Sequence, residues 1–387
     1  MDHKRVWMDI DLDAVRANVD AMFDRMRPDC RMMAVVKADA YGHGAREIAA
    51  LLEPDQRIFG YAVATVDEAY ELRRHQISKP ILILGYSFPE EYPAMVRLGI
   101  RPAIFSYESA LAFDRAASQA GMIAPVHIKI DTGMSRIGFQ VNEEDLSQAA
   151  RIAQLKHLRM EGIFTHFARA DEKDKSHAYA QADLFQQAID RLERAGAEFE
   201  IRHCSNSASI MELPELNMDM VRAGISLYGL WPSEEMDPNF PLSAAMSLGS
   251  HITHIKTLGE GRCISYGGTY QVKGKAKIAT IPVGYADGYA RGLSNRGYVL
   301  IQGKRAPIVG RICMDQFMVD VSAFDHIVVG EKVTLLGEDG EDRISLEELG
   351  RLSGRFNYEF ACLLGNRRIP KVFHRKGQVV SVREDLR

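Results

Sequence analysis

From residue 31 to about residue 230 the chain alternates between two patterns. Short apolar runs rich in Val, Ile and Phe fall at 31–36, 58–63, 80–84, 101–105, 125–130, 159–164, 199–203 and 218–221. They read as buried strands, because a strand covered on both faces carries a continuous apolar run. Between them, 66–75, 107–120, 143–155 and 176–195 have helical spacing of their apolar positions. Strand–helix alternation repeated eight times predicts a closed, parallel (β/α)8 TIM barrel, an α/β fold. A doubly wound open sheet is the alternative. No G-x-G-x-x-G comes after the first run, which counts against a dinucleotide-binding version.

The pattern changes near residue 231. WPSEEMDPNFPLS (231–243) carries three prolines and reads as a linker. Beyond it, apolar runs broken by glycine predict a C-terminal all-β domain with one short helix near 345–352. The expected domains are therefore 1–235 for the barrel and 236–387 for the β domain.

Composition narrows the function classes. At 387 residues, with 46% hydrophobic and 26% charged positions, the chain can bury two ordinary cores. A net charge of −4 and the absence of a long basic run give no footprint for nucleic acid. No stretch approaches a membrane span, and the first residues lack the apolar core of a secretory signal. The cysteines (Cys30, Cys204, Cys263, Cys313, Cys362) are odd in number and scattered, with no C-x-x-C. A reducing cytoplasm and no structural metal are expected.

In a (β/α)8 barrel the site lies at the carboxyl ends of the strands, so the residues just after each run carry the candidate chemistry. Lys37 comes after the first; Arg136 lies after the fifth, in DTGMSRIGF; Thr165 and His166 come after the sixth. Ser205, Asn206 and Ser207 come after the seventh, and Arg222, Ala223 and Gly224 come at the eighth. A lone lysine at a strand end is usually a solvated cation. Lys37, however, ends the apolar run MMAVV, and partial desolvation would lower its pKa and free a nucleophilic amine. Such an amine suits a Schiff base with an aldehyde cofactor. Ser207 could simply cap a helix, and Gly224 could simply make a turn. Hydroxyl and amide groups on the loops after strands seven and eight are also where barrels hold phosphate. His166, Arg136 and Arg222 each have a plain structural reading. Lys129 lies inside the fifth run, where an inward amine is costly without a partner.

AVVKADAYGHG (34–44), HIKIDTGMSRIGF (127–139), THFARAD (165–171), HCSNSA (203–208), VRAGISLYG (221–229), SYGGTY (265–270), PVGYADGY (282–289) and GRICMDQ (310–316) resemble, in order, the alanine racemases. That resemblance implies an isomerase interconverting L- and D-alanine for peptidoglycan, with pyridoxal 5'-phosphate as cofactor. It implies a homodimer with shared active sites. Lys37 would hold the cofactor and act as one base, and Tyr266 would be the opposing base, given to the partner subunit by the β domain. Tyr41, Asn206, Ser207, Gly224, Ile225 and Tyr358 would bind the cofactor. Arg222 would face its ring nitrogen, and His166 would link Arg222 to Tyr266. Arg136 and the backbone of Met314, flanked by Cys313 and Asp315, would bind substrate, and Lys129 would be carbamylated to position Arg136. Tyr285, Asp171, Arg291 and Arg311 would line the substrate entrance. One stretch departs: many relatives carry a Ser-Tyr-Arg-Val-Pro-like sequence where this chain has GNRRIPK (365–371).

Three other readings compete. A fold-related amino-acid decarboxylase would use a similar lysine, but with a carboxylate facing the ring nitrogen. A cofactor-binding barrel without activity would stop near residue 235. A racemase for serine or larger amino acids differs only in pocket size, where one methylene is worth about 1–3 kcal/mol.

Overall fold

The computed structural model describes residues 4–365 and 368–384. It divides into two compact units, one of residues 16–40 and 45–242, the other of the described parts of 1–15, 41–44 and 243–387. None of the described helices is long and apolar enough to cross a membrane.

The first unit is the expected barrel. Its eight strands are Arg31–Val35, Ile58–Val63, Ile81–Ile83, Ile100–Ile104, Ala124–Asp131, Leu158–Phe164, Ile201–His203 and Met220–Ala223. They pair in parallel in chain order, and the eighth returns to the first (Met220 opposite Arg31, Ala223 opposite Ala34). Between the seventh and eighth the seam carries single hydrogen bonds, Asp219 N to Arg202 O at 3.1 Å and Arg222 N to Ser205 O at 3.0 Å. The barrel is thus nearly closed. The apolar runs behave as expected: Met32, Met33, Ile81, Leu82, Ile83, Val126, Ile128 and Ile130 are fully buried. Helices Val66–Arg74, Tyr107–Gln119, Glu143–Ile152 and Ser176–Arg194 occupy the predicted stretches. Thr65, Ser106 and Asn142 cap the first three by accepting a backbone N–H from the third helical residue, satisfying an otherwise orphaned donor.

The second unit is β-rich. Its main sheet runs Lys304–Pro307, Tyr298–Ile301, Lys332–Asp339, Met246–His251, Val6–Asp11, Lys371–Arg375, Gln378–Arg383. A three-stranded sheet (His254–Leu258, Ala276–Ile281, Phe317–Asp320) and a small hairpin (Cys263–Ile264 with Tyr270–Gln271) accompany it. Two features differ from the sequence expectation. The N-terminal segment does not join the barrel: Val6–Asp11 lies between Met246–His251 and Lys371–Arg375. Its burial alternates along the strand, the mark of a sheet with one covered face. Two helices rather than one lie near the end, Leu346–Ser353 and Asn357–Leu364. The second is so apolar (NYEFACLL) that it shows no amphipathic period. Asn366 and Arg367 of the divergent GNRRIPK stretch lie outside the described residues.

Gly249 sits opposite Trp7 in the main sheet. A Cβ there would run into the indole ring, whose Nε1 donates to Asp9 Oδ2 at 2.8 Å. Gly249→Ala should therefore cost about 1–3 kcal/mol by overpacking. Urea unfolding followed by tryptophan fluorescence would show a lowered midpoint; an unchanged midpoint would show that the ring swings aside freely.

Candidate active site

The barrel's polar interior is built on alternate residues of four strands. His127 and Lys129 come from the fifth strand, Glu161 from the sixth, His203 from the seventh and Arg222 from the eighth, all buried. Arg222 holds no carboxylate. Its Nη1 donates to His203 Nδ1 (2.9 Å) and His203 O (3.1 Å). Its Nη2 donates to Thr165 O (2.7 Å), Cys204 O (2.9 Å) and His166 Nδ1 (3.3 Å). Among the described residues Nε–H has no protein acceptor, so one donor of a fixed guanidinium is left for something else. Burial pushes Arg222 down to about 10, still charged at neutral pH.

His166 is held neutral. Burial lowers it well below the usual imidazole range, and the charges it feels from Arg222, Arg136, Lys129 and Lys37 are all positive. A cluster of cations around a neutral imidazole is a site for anions. Lys129 donates to Ile130 O at 2.6 Å. Burial first, then Arg222, pushes its amine down to about 7, where much of it is uncharged and nucleophilic at neutral pH.

Lys37 is half-buried, directly after the first strand. The chain then enters a left-handed turn: Ala38, Asp39, Ala40 and Tyr41 have φ between 52° and 57°. Each such residue costs about 1–2 kcal/mol. The turn is held from both ends. Glu68 accepts from Ala38 N (2.6 Å) and Ala64 N (2.7 Å), and Asp39 accepts from Ala45 N (2.8 Å) at the start of the next helix.

The loops after strands seven and eight are tied by one hydroxyl. Ser207 Oγ accepts from Gly224 N (2.9 Å) and Ser226 N (3.4 Å), which leaves its O–H proton free to donate outward. Asn206 caps the short helix Ser207–Glu212 through Ser209 N. Ile225 is buried at the start of the turn Ile225–Tyr228, whose Tyr228 hydroxyl donates to Val35 O at 2.7 Å.

Arg136 lines a cavity of about 600 Å³ with Asp131, Thr132 and Ile137. Its loop is shaped by Asp131 Oδ1, which accepts from Gly133 N and Ser135 N, both at 3.0 Å. Sequence reasoning missed Gln181. This buried amide donates to Thr132 Oγ1 (3.1 Å) and His166 O (3.2 Å) and accepts from Ala168 N (2.8 Å), bracing the loops of Arg136 and His166. The signal was available only as a polar residue on the buried face of helix Ser176–Arg194.

The β unit gathers the remaining candidates in two places. Tyr41 and Tyr358 meet edge to face, with ring centroids 6.0 Å apart. Separately, Ser265, Tyr266, Cys313, Met314 and Asp315 line a cavity of about 430 Å³. Tyr266 is 71% exposed. It comes directly after Ser265, a non-glycine residue at φ 65°, whose hydroxyl donates to Arg311 O at 2.6 Å and lies 3.3 Å from Cys313 Sγ. Tyr285 N donates to Cys313 O (3.1 Å), and Asp315 pairs with Arg368 (2.8 Å). Asp171 belongs to the barrel unit, where its carbonyl accepts from Ser233, and exposed Arg291 opens a short turn in the β unit.

The family models for the N-terminal and C-terminal domains of alanine racemase match residues 10–232 and 245–373. The chain belongs to the alanine racemase family. The alanine racemase of Desulforamulus reducens is 44% identical over 371 residues, covering 95% of this chain and 98% of its own. Among solved structures, the alanine racemase of Clostridium difficile 630 superposes with a TM-score of 0.94 at 42% identity, covering 98% of both chains. That of Bartonella henselae, solved with covalently bound pyridoxal phosphate, has a TM-score of 0.85 at 26% identity, covering 95% of this chain and 99% of its own. The racemase family thus spans both units, and with them both sets of candidate residues.

Two outcomes test this geometry. Unfolded lysine keeps its proton to about pH 10.4, whereas buried Lys129 releases it near 7. Between those values the unfolded chain binds the extra proton, so unfolding free energy rises with pH. In carbonate-free buffer, wild-type stability should rise more than that of Lys129→Met between about pH 7 and 9.5. Equal slopes would show that burial does not disfavour the cation. Glu68→Ala should speed hydrogen exchange at the Ala38 amide by about tenfold or more, the equivalent of about 1.4 kcal/mol. Unchanged exchange would show that the left-handed turn stands without the carboxylate.

Proposed function

We infer that this chain interconverts L- and D-alanine with pyridoxal phosphate, as a homodimer whose sites each draw on two subunits. The observation that carries the reading is Arg222: a buried guanidinium bound by carbonyls and neutral imidazoles, with Nε–H left over. A donor that cannot give up its proton suits an unprotonated ring nitrogen, whereas a decarboxylase of this fold would need a carboxylate there. The cation-rich mouth suits a phosphate and a substrate carboxylate. When bound, the cofactor would supply the electron-withdrawing ring that makes the Cα proton removable.

Lys37 would hold the cofactor and exchange a proton at Cα from one face. The partner subunit's Tyr266 would serve the other face through its phenolic oxygen, which fits its exposure at a cavity edge here. His166, kept neutral, would accept from Arg222 and pass its orientation on to the partner subunit's Tyr266. Ser207 O–H, with the loop of Asn206, Gly224 and Ile225 and the Tyr41–Tyr358 pair, would hold the phosphate. Arg136 would bind the substrate carboxylate with help from the Met314 backbone, which Cys313 and Asp315 flank. Lys129, much of it a free amine at neutral pH, would add to carbon dioxide, forming an N–C bond and losing a proton. The resulting carbamate would replace a buried cation with an anion beside Arg136. Tyr285 would narrow the substrate entrance.

Incubated with L-alanine and pyridoxal phosphate in deuterium oxide, the protein should yield both enantiomers carrying deuterium at Cα, read by chiral chromatography and mass spectrometry. Release of carbon dioxide without inversion would move the chain to the decarboxylases. Tyr266→Phe should slow proton removal from one enantiomer by about 100-fold or more while the visible absorption of the bound cofactor persists. Equal slowing from both enantiomers would argue against a two-face division of labour.

A further inference from the structure

We propose that Glu161 is the fixed end of a one-way hydrogen-bond chain, through His127 and His203, that holds His203 Nδ1 as an acceptor for Arg222 and so positions the Arg222 Nε–H. The proposal rests on the functional reading only for what Nε–H faces; the chain itself is a property of the protein.

Four buried groups make contact in line across the barrel interior. Arg222 Nη1 is 2.9 Å from His203 Nδ1, His203 Nε2 is 2.9 Å from His127 Nδ1, and His127 Nε2 is 3.1 Å from Glu161 Oε2. Both imidazoles are 0% exposed, Glu161 4% and Arg222 3%. The far end is anchored by Arg101 Nε, 2.6 Å from Glu161 Oε2, and by Arg159 Nη2, 2.8 Å from Oε1.

Donor and acceptor roles leave one arrangement. A guanidinium only donates, so His203 Nδ1 must accept and its proton sits on Nε2. That proton can go only to His127 Nδ1, which puts the His127 proton on Nε2. There it meets a carboxylate, which only accepts. Reversing the chain, or charging either imidazole, sets N–H against N–H at one joint. Burial independently lowers both imidazoles, with Arg222 acting next on His203 and Glu161 only partly opposing on His127. Burial works against the Glu161 charge, but the hydrogen bonds from His127 and Arg101 outweigh it and hold the carboxyl well below its usual range.

Packing fixes the rings in this alignment. His203 stacks on Phe164 with centroids 4.9 Å apart and planes 9° apart. A Cβ at residue 162 would collide with the His127 ring, so Gly162, beside Glu161 on the same strand, is what admits it. The device ends on a carboxylate, itself paired with Arg101 and Arg159, three hydrogen bonds from Arg222. The guanidinium is oriented and polarised, yet no carboxylate touches it to compete for Nε–H. Glu161, His127 and His203 are thus positioning residues acting through Arg222.

The test is the tautomer of each histidine in 15N-histidine-labelled holoenzyme by magic-angle-spinning NMR. Wild type should show His127 and His203 neutral with the proton on Nε2, unchanged from about pH 6 to 9. A charged imidazole, or an Nδ1–H form of either, overturns the proposal without any variant. Glu161→Gln keeps the shape but can donate to His127 Nε2. It should give mixed tautomers at both histidines and lower kcat by about 10–100-fold, with KM for alanine within about twofold. Glu200→Gln, which removes a carboxylate that pairs with Arg159 and touches no imidazole, should leave the tautomers and kcat as in wild type. Wild-type tautomers and kcat in Glu161→Gln would reduce Glu161 to an ion-pair partner of the arginines. Absence of racemisation by wild type with the expected tautomers would defeat the functional reading alone and leave the chain standing.

Discussion

Everything at the barrel's mouth depends on a cation buried without a touching anion. Removing a guanidinium from water costs several kcal/mol even after relaxation, and a direct carboxylate would be the ordinary remedy. Here five acceptors, three of them backbone carbonyls at or just past the ends of strands six and seven, hold Arg222 instead. Thr165 O and Cys204 O lie just past their strands, and His203 O, at the last residue of strand seven, is shared with the Thr165 backbone amide. The requirement spreads outward. His203 and His166 must stay neutral to accept, so burial that would be a liability for a charged imidazole becomes useful. The barrel interior consequently carries a continuous polar line from Glu161 to Arg222.

A second constraint acts where Lys37 leaves the first strand. Four successive non-glycine residues in the left-handed region are expensive and do not persist without outside support. Glu68 supplies it from the first turn of helix Val66–Arg74, while also completing its own capping box with Thr65, and Asp39 within the turn accepts from Ala45 at the start of the next helix. The short turn fixes where the lysine emerges and sends the chain to Tyr41–Gly44, which pack with the β unit. The support from Glu68 and Asp39 thus fixes the backbone directly after Lys37.

Much of this was legible in the sequence, for physical reasons. Strands buried on both faces announce themselves as apolar runs, and most of the eight did; Ile201–His203 (IRH) showed only in part. Lys37 and Arg222 could be singled out because a barrel's chemistry lies at its strand ends. The remainder depended on partners distant in the chain. Val6–Asp11 alternates as a half-covered strand should, but its partners lie more than 200 residues away, and nothing local says which sheet it joins. Gln181 looks like any helix glutamine until the loops it braces are in place. His127, Glu161 and His203 come from three strands that only barrel closure aligns, so no spacing links them. The helix Asn357–Leu364 lacked a period because it is apolar nearly all round.

The central claim is that Arg222, rather than an acid, faces the cofactor's ring nitrogen. It is tested most directly by binding pyridoxal phosphate labelled with 15N in the ring and reading the chemical shift of that nitrogen in the resting holoenzyme. An unprotonated, hydrogen-bonded pyridine nitrogen across neutral pH is the expected result. A pyridinium signal would contradict the account, because a guanidinium held as Arg222 is has no proton to give.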